Sequence, residues 1–587
     1  MLRAKIRLPV IRNGYFLSRQ LGTNTAQKFQ PILYDLTAEL SQNLPRFTVP
    51  ADGISVLAQP SEFYSILLDM IRNAEKRIFI SSLYIGSSEH ELISTLKTRL
   101  TEKAGLHLYL QLDLNRSTRP GPSSTATILL PLLRHFPDRV HVSLFRSPSL
   151  RGIMAKIVPP RFNEGWGTWH AKIYGADDDL IISGANLNNA YFTNRRDRYL
   201  RFTAQPRLAE YCFSFLQEMS TFSYRLLPAD SRQTTNPHSY TSGDYTVVWS
   251  DPETHPHHIS EQVHRALSAF QASHRVGGDD TENPALDVSS PLSNNPSAKP
   301  SILLFPMIQA GQFRIREEER FFQLLFGHLK KAAMRAMLPD VGSLPFGISS
   351  VTQSRPLMDW TSGYFSLYKP YQQLILGTPA VGVKIVCSSP KANGFFGSKG
   401  ISGRIPEGYT FLEQKFMKAV RKTARNFARI GFLVQGNVEL REWEKEGWTY
   451  HAKGLWLSPS ADSAPVLTLF GSTNLNSRSA DIDTELSFVM VLPPREPCHY
   501  LGAGAGGVSG PGTGRRLAMK TGPEADIDID GSNHGREVGD LDPISNLRLQ
   551  LAREVADIRA DAKEWRGDTR KVRWLTKVIV WLVGNKL

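Results

Sequence analysis

The chain has 587 residues, 41% of them hydrophobic and 21% charged, with three cysteines. That composition excludes a mainly disordered, collagenous or disulfide-framework protein and supplies apolar material for one or two large cores. Formal net charge is +14, from 69 basic and 55 acidic residues, and no uninterrupted apolar run approaches the roughly 18 residues of a membrane span.

Residues 1–34 carry Arg3, Lys5, Arg7, Arg12, Arg19 and Lys28, and the first acid is Asp35. A basic, acid-free amphipathic start of this kind reads as a mitochondrial transit segment. Between residues 50 and 227, β-branched runs alternate with helical patterns. Strands are expected over 76–84, 106–114 and 139–146, and a helix near 89–103. A variable linker region follows at 228–300, rich in Ser, Asn, Pro and Gly. The alternation resumes over 301–495, with strands at 301–305, 381–387 and 432–440 and a long helix at about 409–429. Two α/β lobes with mixed sheets flanked by helices are the expected fold.

Residues 502–541, with their Gly-Ala-Gly-Ala-Gly-Gly stretch, read as a low-complexity insertion. A C-terminal helix and a basic-aromatic tail are expected over 543–587. The tail mixes Trp574 and Trp581 with Lys571, Arg573, Lys577 and Lys586, which suits a helix lying in a lipid interface. Docking on the domain's own core explains the same pattern. Cys212, Cys387 and Cys498 are far apart and form no C-x-x-C pair, which argues for a reducing compartment.

The chain also repeats itself. Glu164-Gly-Trp-Gly-Thr-Trp-His170-Ala-Lys172 matches Glu446-Gly-Trp-Thr-Tyr-His451-Ala-Lys453, with one residue gapped. Downstream, Asn186-Leu-Asn188 matches Asn474-Leu-Asn476, and a carboxylate follows each at the same spacing, Asp197 and Glu485. On a strand, residues i and i+2 share a face, so each His and its Lys point into one space. Two lobes about a pseudo-twofold axis would bring both pairs together.

Such a constellation suits transfer at a phosphodiester. One imidazole attacks phosphorus, the other protonates the leaving oxygen, and two ammonium groups hold the charge that develops. Asn186 and Asn474 are candidate further donors. Asp197 and Glu485 are candidate acceptors from imidazole Nδ1–H, fixing the tautomer. No metal is required by this route, and no G-x4-G-K-[ST] phosphate loop is present. Divalent-ion stimulation is left open.

His170-Ala-Lys172-Ile-Tyr-Gly-Ala-Asp177 is an H-x-K-x4-D signature, and the chain resembles the phospholipase D superfamily through it. The second copy departs from the signature, with Ser458 where Asp is expected. Asp177 joins the catalytic set by motif, although its place at the strand's end suggests structural support. His170 is taken as the nucleophile because its signature is intact.

Finer similarity lies in Ser183–Tyr199, Thr361–Phe365 and Ser389–Tyr409, which look like the mitochondrial phosphatidylglycerophosphate synthase family. That resemblance implies transfer of a phosphatidyl group from CDP-diacylglycerol to sn-glycerol 3-phosphate, releasing CMP, at the matrix side of the mitochondrial inner membrane. An anionic membrane surface is then an expected partner and nucleic acid is not. Arg116 and Arg119, or Lys399 and Arg404, follow corresponding strands and are candidates for the acceptor phosphate. Competing readings are a phosphatidylserine or cardiolipin synthase, a phospholipase, or a nucleic-acid phosphodiesterase.

Overall fold

The computed structural model describes residues 14–583 apart from 121–122, 153–157, 159, 230–235, 276–298, 338–354, 430–437 and 494–540. The expected 502–541 insertion therefore falls outside the described residues except at its last position, as do residues 230–235 and 276–298 of the expected 228–300 linker region and the first part of the expected 432–440 strand.

Two ten-stranded mixed sheets form the two lobes. In the first, Arg77–Ser81, His107–Asp113 and Val140–Phe145 run parallel at the centre. Ile173–Ala176, Asp179–Ser183, Tyr199–Phe202 and Ile54–Leu57 extend it antiparallel on one side. The second sheet repeats this order. Leu357–Ser362, Gly382–Ser388 and Val438–Trp443 are parallel, and Lys453–Ser458, Leu467–Gly471, Glu485–Val491 and Ser301–Ala310 continue antiparallel. Of the parallel strands, His107–Asp113, Val140–Phe145 and Gly382–Ser388 are rich in buried Val, Ile and Leu, and Leu357–Ser362 is buried throughout, as suits strands covered on both faces.

Elements close to the expected bounds appear at His90–Glu102 and Ile405–Arg429, the latter one turn longer at its start than the periodicity suggests. Pro406 and Glu407 account for the early start, since Pro is tolerated in the first helical turn and Glu complements the macrodipole.

Among the described residues, the elements near both ends pack against the second lobe. Phe47–Pro50 pairs with Ser301–Leu304, and a few residues later Ile54–Leu57 has crossed to the first sheet. Helix Gly14–Asn43 lays Phe29, Leu33, Leu36 and Leu40 into the core that contains Phe321, Phe322 and Leu325 of helix Glu317–Met337. It runs across the boundary expected for the leader at residue 34, with Phe29 and Leu33 buried in that core. At the other end, Ala562–Glu564 adds an edge strand to Arg441–Trp443.

Helix Pro543–Ala560 straps the lobes together. Its Gln550 accepts from Val56 N in the first lobe at 3.0 Å, and its Arg548 donates to Ala464 O in the second at 2.9 Å. Between them, Glu554 holds Arg198 of the first lobe through two bonds of 2.9 Å and accepts from Trp456 Nε1 of the second at 2.9 Å. The Arg198 guanidinium lies 3.8 Å over the Trp456 ring. A buried, bidentate, aromatic-stacked arginine of this kind holds two surfaces in one register.

Candidate active site

Each His-x-Lys pair sits where the chain leaves the other lobe and enters its own sheet. Trp169 bridges Thr484 of the second lobe, and His170 N donates to Thr484 O at 2.9 Å. Ile173 then pairs with Ser81 in the first sheet. In the second copy, Thr449 and Tyr450 pair with Arg195 and Arg196 of the first lobe, and His451 N donates to Arg196 O at 2.8 Å. The pairs were expected on strands, but of the four residues only Lys453 lies within one. The reason is the crossing itself, which interrupts the sheet ladder between its two partners.

The imidazole–carboxylate pairs cross as well. His170 Nδ1 lies 2.8 Å from Glu485 Oε2, so a second-lobe carboxylate orients the first-lobe histidine. His451 Nδ1 lies 2.7 Å from Asp197 Oδ2, the reverse arrangement. The other carboxylate oxygens are also held: Ser479 Oγ donates to Glu485 Oε1 at 2.6 Å, and Arg198 N donates to Asp197 Oδ1 at 2.9 Å. Lys172 Nζ donates to His170 O at 2.6 Å, and Lys453 Nζ lies 3.3 Å from His451 Nε2. The two histidines, two lysines and two carboxylates are all buried. Gly184 is required beside them, because a Cβ there would meet Asp197 Oδ1 at 2.7 Å and Lys453 Cε at 2.8 Å.

Burial dominates the electrostatics. It lowers His170 below the ordinary 6.5; Glu485 opposes this, and the two lysines add to it. His451 falls further, through burial and then the fields of Lys453 and Arg195. Lys172 is pushed down to about 7 by burial and the Lys453 charge. Lys453 is pushed to about 8 by burial, with Asp197 and Glu485 opposing. Burial raises Asp197 to about 6. It acts on Glu485 in the same sense, but His170 and Lys172 more than offset it and hold that carboxyl below its usual range. Near neutrality the site therefore presents two neutral imidazoles, both oriented through Nδ1, and two carboxylates.

Asn186 and Asn474 are buried close by. Asn186 Nδ2 donates to Tyr191 Oη at 3.1 Å, and the backbone N of Asn474 donates to Ser479 Oγ at 3.0 Å. Asp177, grouped with the catalytic residues on motif alone, does not join them. Its carboxylate accepts from Glu75 N, Lys76 N and Arg77 N at 2.7, 2.8 and 3.0 Å, from a backbone φ of 50°. It pins the start of strand Arg77–Ser81, which is structural work. Ser458, at the equivalent position, is the last residue of strand Lys453–Ser458 and pairs there with Leu357.

The candidate phosphate-binding residues fare unequally. Arg116 and Arg119 are already engaged by Glu164, the former at 3.6 Å. Arg116 also stacks 4.2 Å over the Tyr84 ring. Lys399 is exposed on the glycine-rich loop and Arg404 is half-buried at its end. No contact among the described residues ties either to the histidines. Residues not singled out from the sequence do surround His451: the Tyr191 and Tyr364 rings lie 5.2 and 5.3 Å from it, and Arg195 packs 4.5 Å over Tyr191. Their signal was available as mismatches between the two repeats, such as Tyr191 against Ser479.

Two α/β lobes that close crossed His-x-Lys pairs over a shared set of acid–base groups define an enzyme of the phospholipase D class. The fold agrees with the crystal structure of phosphatidylserine synthase from Haemophilus influenzae Rd KW20 at a TM-score of 0.56 and 17% identity, covering 94% of this chain and 98% of that one. No family model matches the chain. A CDP-diacylglycerol–glycerol-3-phosphate 3-phosphatidyltransferase of Schizosaccharomyces pombe is 34% identical over 471 residues, 78% of this chain and 89% of that protein. The Saccharomyces cerevisiae protein of the same name is 30% identical over 502 residues, covering 83% and 87%; a mitochondrial one of Gallus gallus is 32% identical over 463 residues, covering 76% of each. The chain belongs to this family of phosphatidyltransferases.

The lysine shifts carry a pH dependence. A phosphate held by both ammonium groups needs both protons, and these are lost as pH rises through about 7 and about 8. The alkaline limb of kcat/KM is therefore expected to set in near 7 and to steepen near 8. A rate–pH profile of the purified enzyme checks this, and a limb near lysine's ordinary 10.5 would contradict it.

Proposed function

We propose that the chain transfers the phosphatidyl group of CDP-diacylglycerol to the 1-hydroxyl of sn-glycerol 3-phosphate, giving phosphatidylglycerophosphate and CMP. Membership of the family supports the substrates. The observation that carries the mechanism is the crossed pair of imidazoles, each with its Nδ1 on a carboxylate of the opposite lobe.

His170 Nε2 attacks the phosphorus that bears diacylglycerol. A P–N bond forms as the P–O bond to CMP breaks, and His451 gives its proton to the departing oxygen. His451 is uncharged before substrate arrives; the anionic donor, lying between Lys172 and Lys453, offsets the cations that keep it so and allows it to hold that proton. Neutral again after CMP departs, His451 takes the proton of the acceptor hydroxyl. The alkoxide attacks phosphorus and the P–N bond breaks, restoring His170. The choice of His170 as nucleophile is supported by its Nε2, which has no hydrogen-bond partner among the described residues, whereas Lys453 Nζ and Tyr191 Oη lie 3.3 and 3.4 Å from His451 Nε2. Every step uses side chains of the chain and none calls on a metal.

The assay is direct: CDP-diacylglycerol in mixed micelles with labelled glycerol 3-phosphate. The expected result is labelled phosphatidylglycerophosphate with equimolar CMP, and a trapped phosphatidyl adduct that persists in His451→Ala and is absent from His170→Ala. Transfer to serine instead would overturn the acceptor, and an adduct in His170→Ala would overturn the nucleophile.

A mitochondrial site, peripheral on the matrix face of the inner membrane, is supported by the acid-free basic start and by the designation of the vertebrate relatives. Among the described residues no helix is long and apolar enough to cross a membrane. Helix Trp574–Val583 suits surface attachment. Thr576 and Val580 are buried, with Thr576 Oγ1 donating to Glu407 at 2.7 Å, while Trp574 and Trp581 are 74% and 79% exposed beside Lys571, Arg573 and Lys577. Aromatics flanked by cations favour an anionic lipid interface. Replacing both tryptophans by Ala is expected to weaken co-sedimentation with cardiolipin-containing vesicles roughly tenfold. Unchanged sedimentation would remove this surface from the account.

A further inference from the structure

Three arginines stand within four residues, Arg195, Arg196 and Arg198, and two of them are neutralised by the strapping helix. Arg198 is bound by Glu554 and Arg196 by Asp557, each at 2.9 Å. Arg195 turns the other way, toward Tyr191, whose ring faces His451. Its Nε donates to Thr449 Oγ1 at 2.9 Å and its guanidinium carbon lies 4.5 Å over the Tyr191 ring. No carboxylate lies within ion-pair distance of it among the described residues. A Cβ on Gly394 would come within 3.0 Å of Arg195 Nη2 and 3.1 Å of Tyr364 Oη, so the glycine-rich loop leaves room for this group.

The repeat shows how unusual that is. Aligning Asn186 with Asn474 places Arg195 opposite Asp483 and Ala190 opposite Arg478. In the His170 half, Asp483 accepts from Thr168 N and Oγ1 at 2.9 and 3.0 Å and from Arg478 Nη2 at 3.2 Å. Arg116 and Arg119 are engaged by Glu164 in that same half. These three arginines already have their anions. In the His451 half the carboxylate position holds an arginine, the arginine position holds an alanine, and Glu446, the mate of Glu164, is exposed. The pseudo-twofold axis thus relates a half whose charges are matched to one whose guanidinium has no carboxylate.

We propose that Arg195 is the specificity-determining residue for the acceptor, binding the phosphomonoester of glycerol 3-phosphate while His451 receives the proton of its 1-hydroxyl. This deepens the reading given under Proposed function and rests on it. A phosphomonoester near −2 and a guanidinium without a carboxylate partner match in charge and in fork geometry. The placement fits too. The Tyr191 ring packs against both Arg195 and His451, at 4.5 and 5.2 Å, while the neighbours of His451 Nε2 are Lys453 and Tyr191 Oη. Arg195 is therefore beside the base but not on the reacting atom, as suits a phosphate at the far end of the glycerol from the reacting hydroxyl.

The test uses the full chain with Arg195→Lys and Arg195→Gln, and Gly394→Ala, which crowds the guanidinium without removing charge. Two reactions are followed: transfer to glycerol 3-phosphate, and exchange of labelled CMP into CDP-diacylglycerol, which needs no acceptor. The expected result is a rise of roughly 100-fold in KM for glycerol 3-phosphate in Arg195→Gln, less in Arg195→Lys, and the same direction in Gly394→Ala. CMP exchange should fall far less than transfer, and the preference for glycerol 3-phosphate over glycerol should collapse. An unchanged KM would overturn the assignment. So would parallel loss of exchange and transfer, which would place Arg195 on the donor or in the fold. If the unmodified chain exchanges CMP but transfers nothing to glycerol 3-phosphate, the acceptor reading falls and takes the assignment with it.

Discussion

Two imidazole–carboxylate contacts run across the lobe interface in opposite directions, His170 to Glu485 at 2.8 Å and His451 to Asp197 at 2.7 Å. Each joins a proton donor of one lobe to an acceptor of the other in a buried setting, where an unmet partner costs on the order of 1–3 kcal/mol. Neither histidine is oriented by a carboxylate of its own lobe. The lobe packing therefore has to be fixed to within hydrogen-bond tolerance, and much of the remaining architecture does this. The backbone pairings of Trp169 with Thr484 and of Thr449–Tyr450 with Arg195–Arg196 set the crossing. The helix Pro543–Ala560, with Glu554 on Arg198 and Trp456, closes the two sheets from another side.

Burial makes this geometry chemically useful. Dehydration and mutual repulsion hold both lysines and both imidazoles below their ordinary values, so the buried site carries less charge than its residue types suggest. In the proposed mechanism an anionic substrate reverses the balance, favouring protons on Lys172, Lys453 and His451. Binding and activation are thus one electrostatic event. The near-symmetry of the halves is broken where chemistry needs it broken. Arg195 and Asp483 occupy equivalent positions with opposite charge, and the arginine has no carboxylate partner among the described residues.

Much of this was legible in the sequence, for local reasons. Runs such as Leu106-His-Leu-Tyr-Leu and Val381-Gly-Val-Lys-Ile-Val announce buried strands, and they fall within a residue or two of the observed His107–Asp113 and Gly382–Ser388. The repeat brought both histidines, both lysines and both carboxylates to notice. Which carboxylate serves which histidine was not legible, because contacts spanning 315 and 254 residues depend on how the lobes meet. Asp177 entered the catalytic set by motif alone; its place at the strand's end pointed to structural support, and its carboxylate accepts from Glu75 N, Lys76 N and Arg77 N. Arg116 and Arg119 looked available because their partner Glu164 is distant in sequence. Edge strands Phe47–Pro50 and Ala562–Glu564 were missed since short edge strands carry little periodicity.

The central claim is that the two imidazoles, each oriented from the opposite lobe, act on one phosphorus in two successive in-line displacements. The stereochemical course at that phosphorus tests it most directly. CDP-diacylglycerol made chiral at the diacylglycerol-bearing phosphorus with sulfur or oxygen isotopes would be converted, and the product's configuration read by phosphorus NMR. Two displacements through a phosphatidyl-histidine predict overall retention. Inversion would mean direct attack by the acceptor on the nucleotide-activated lipid, and would contradict the account.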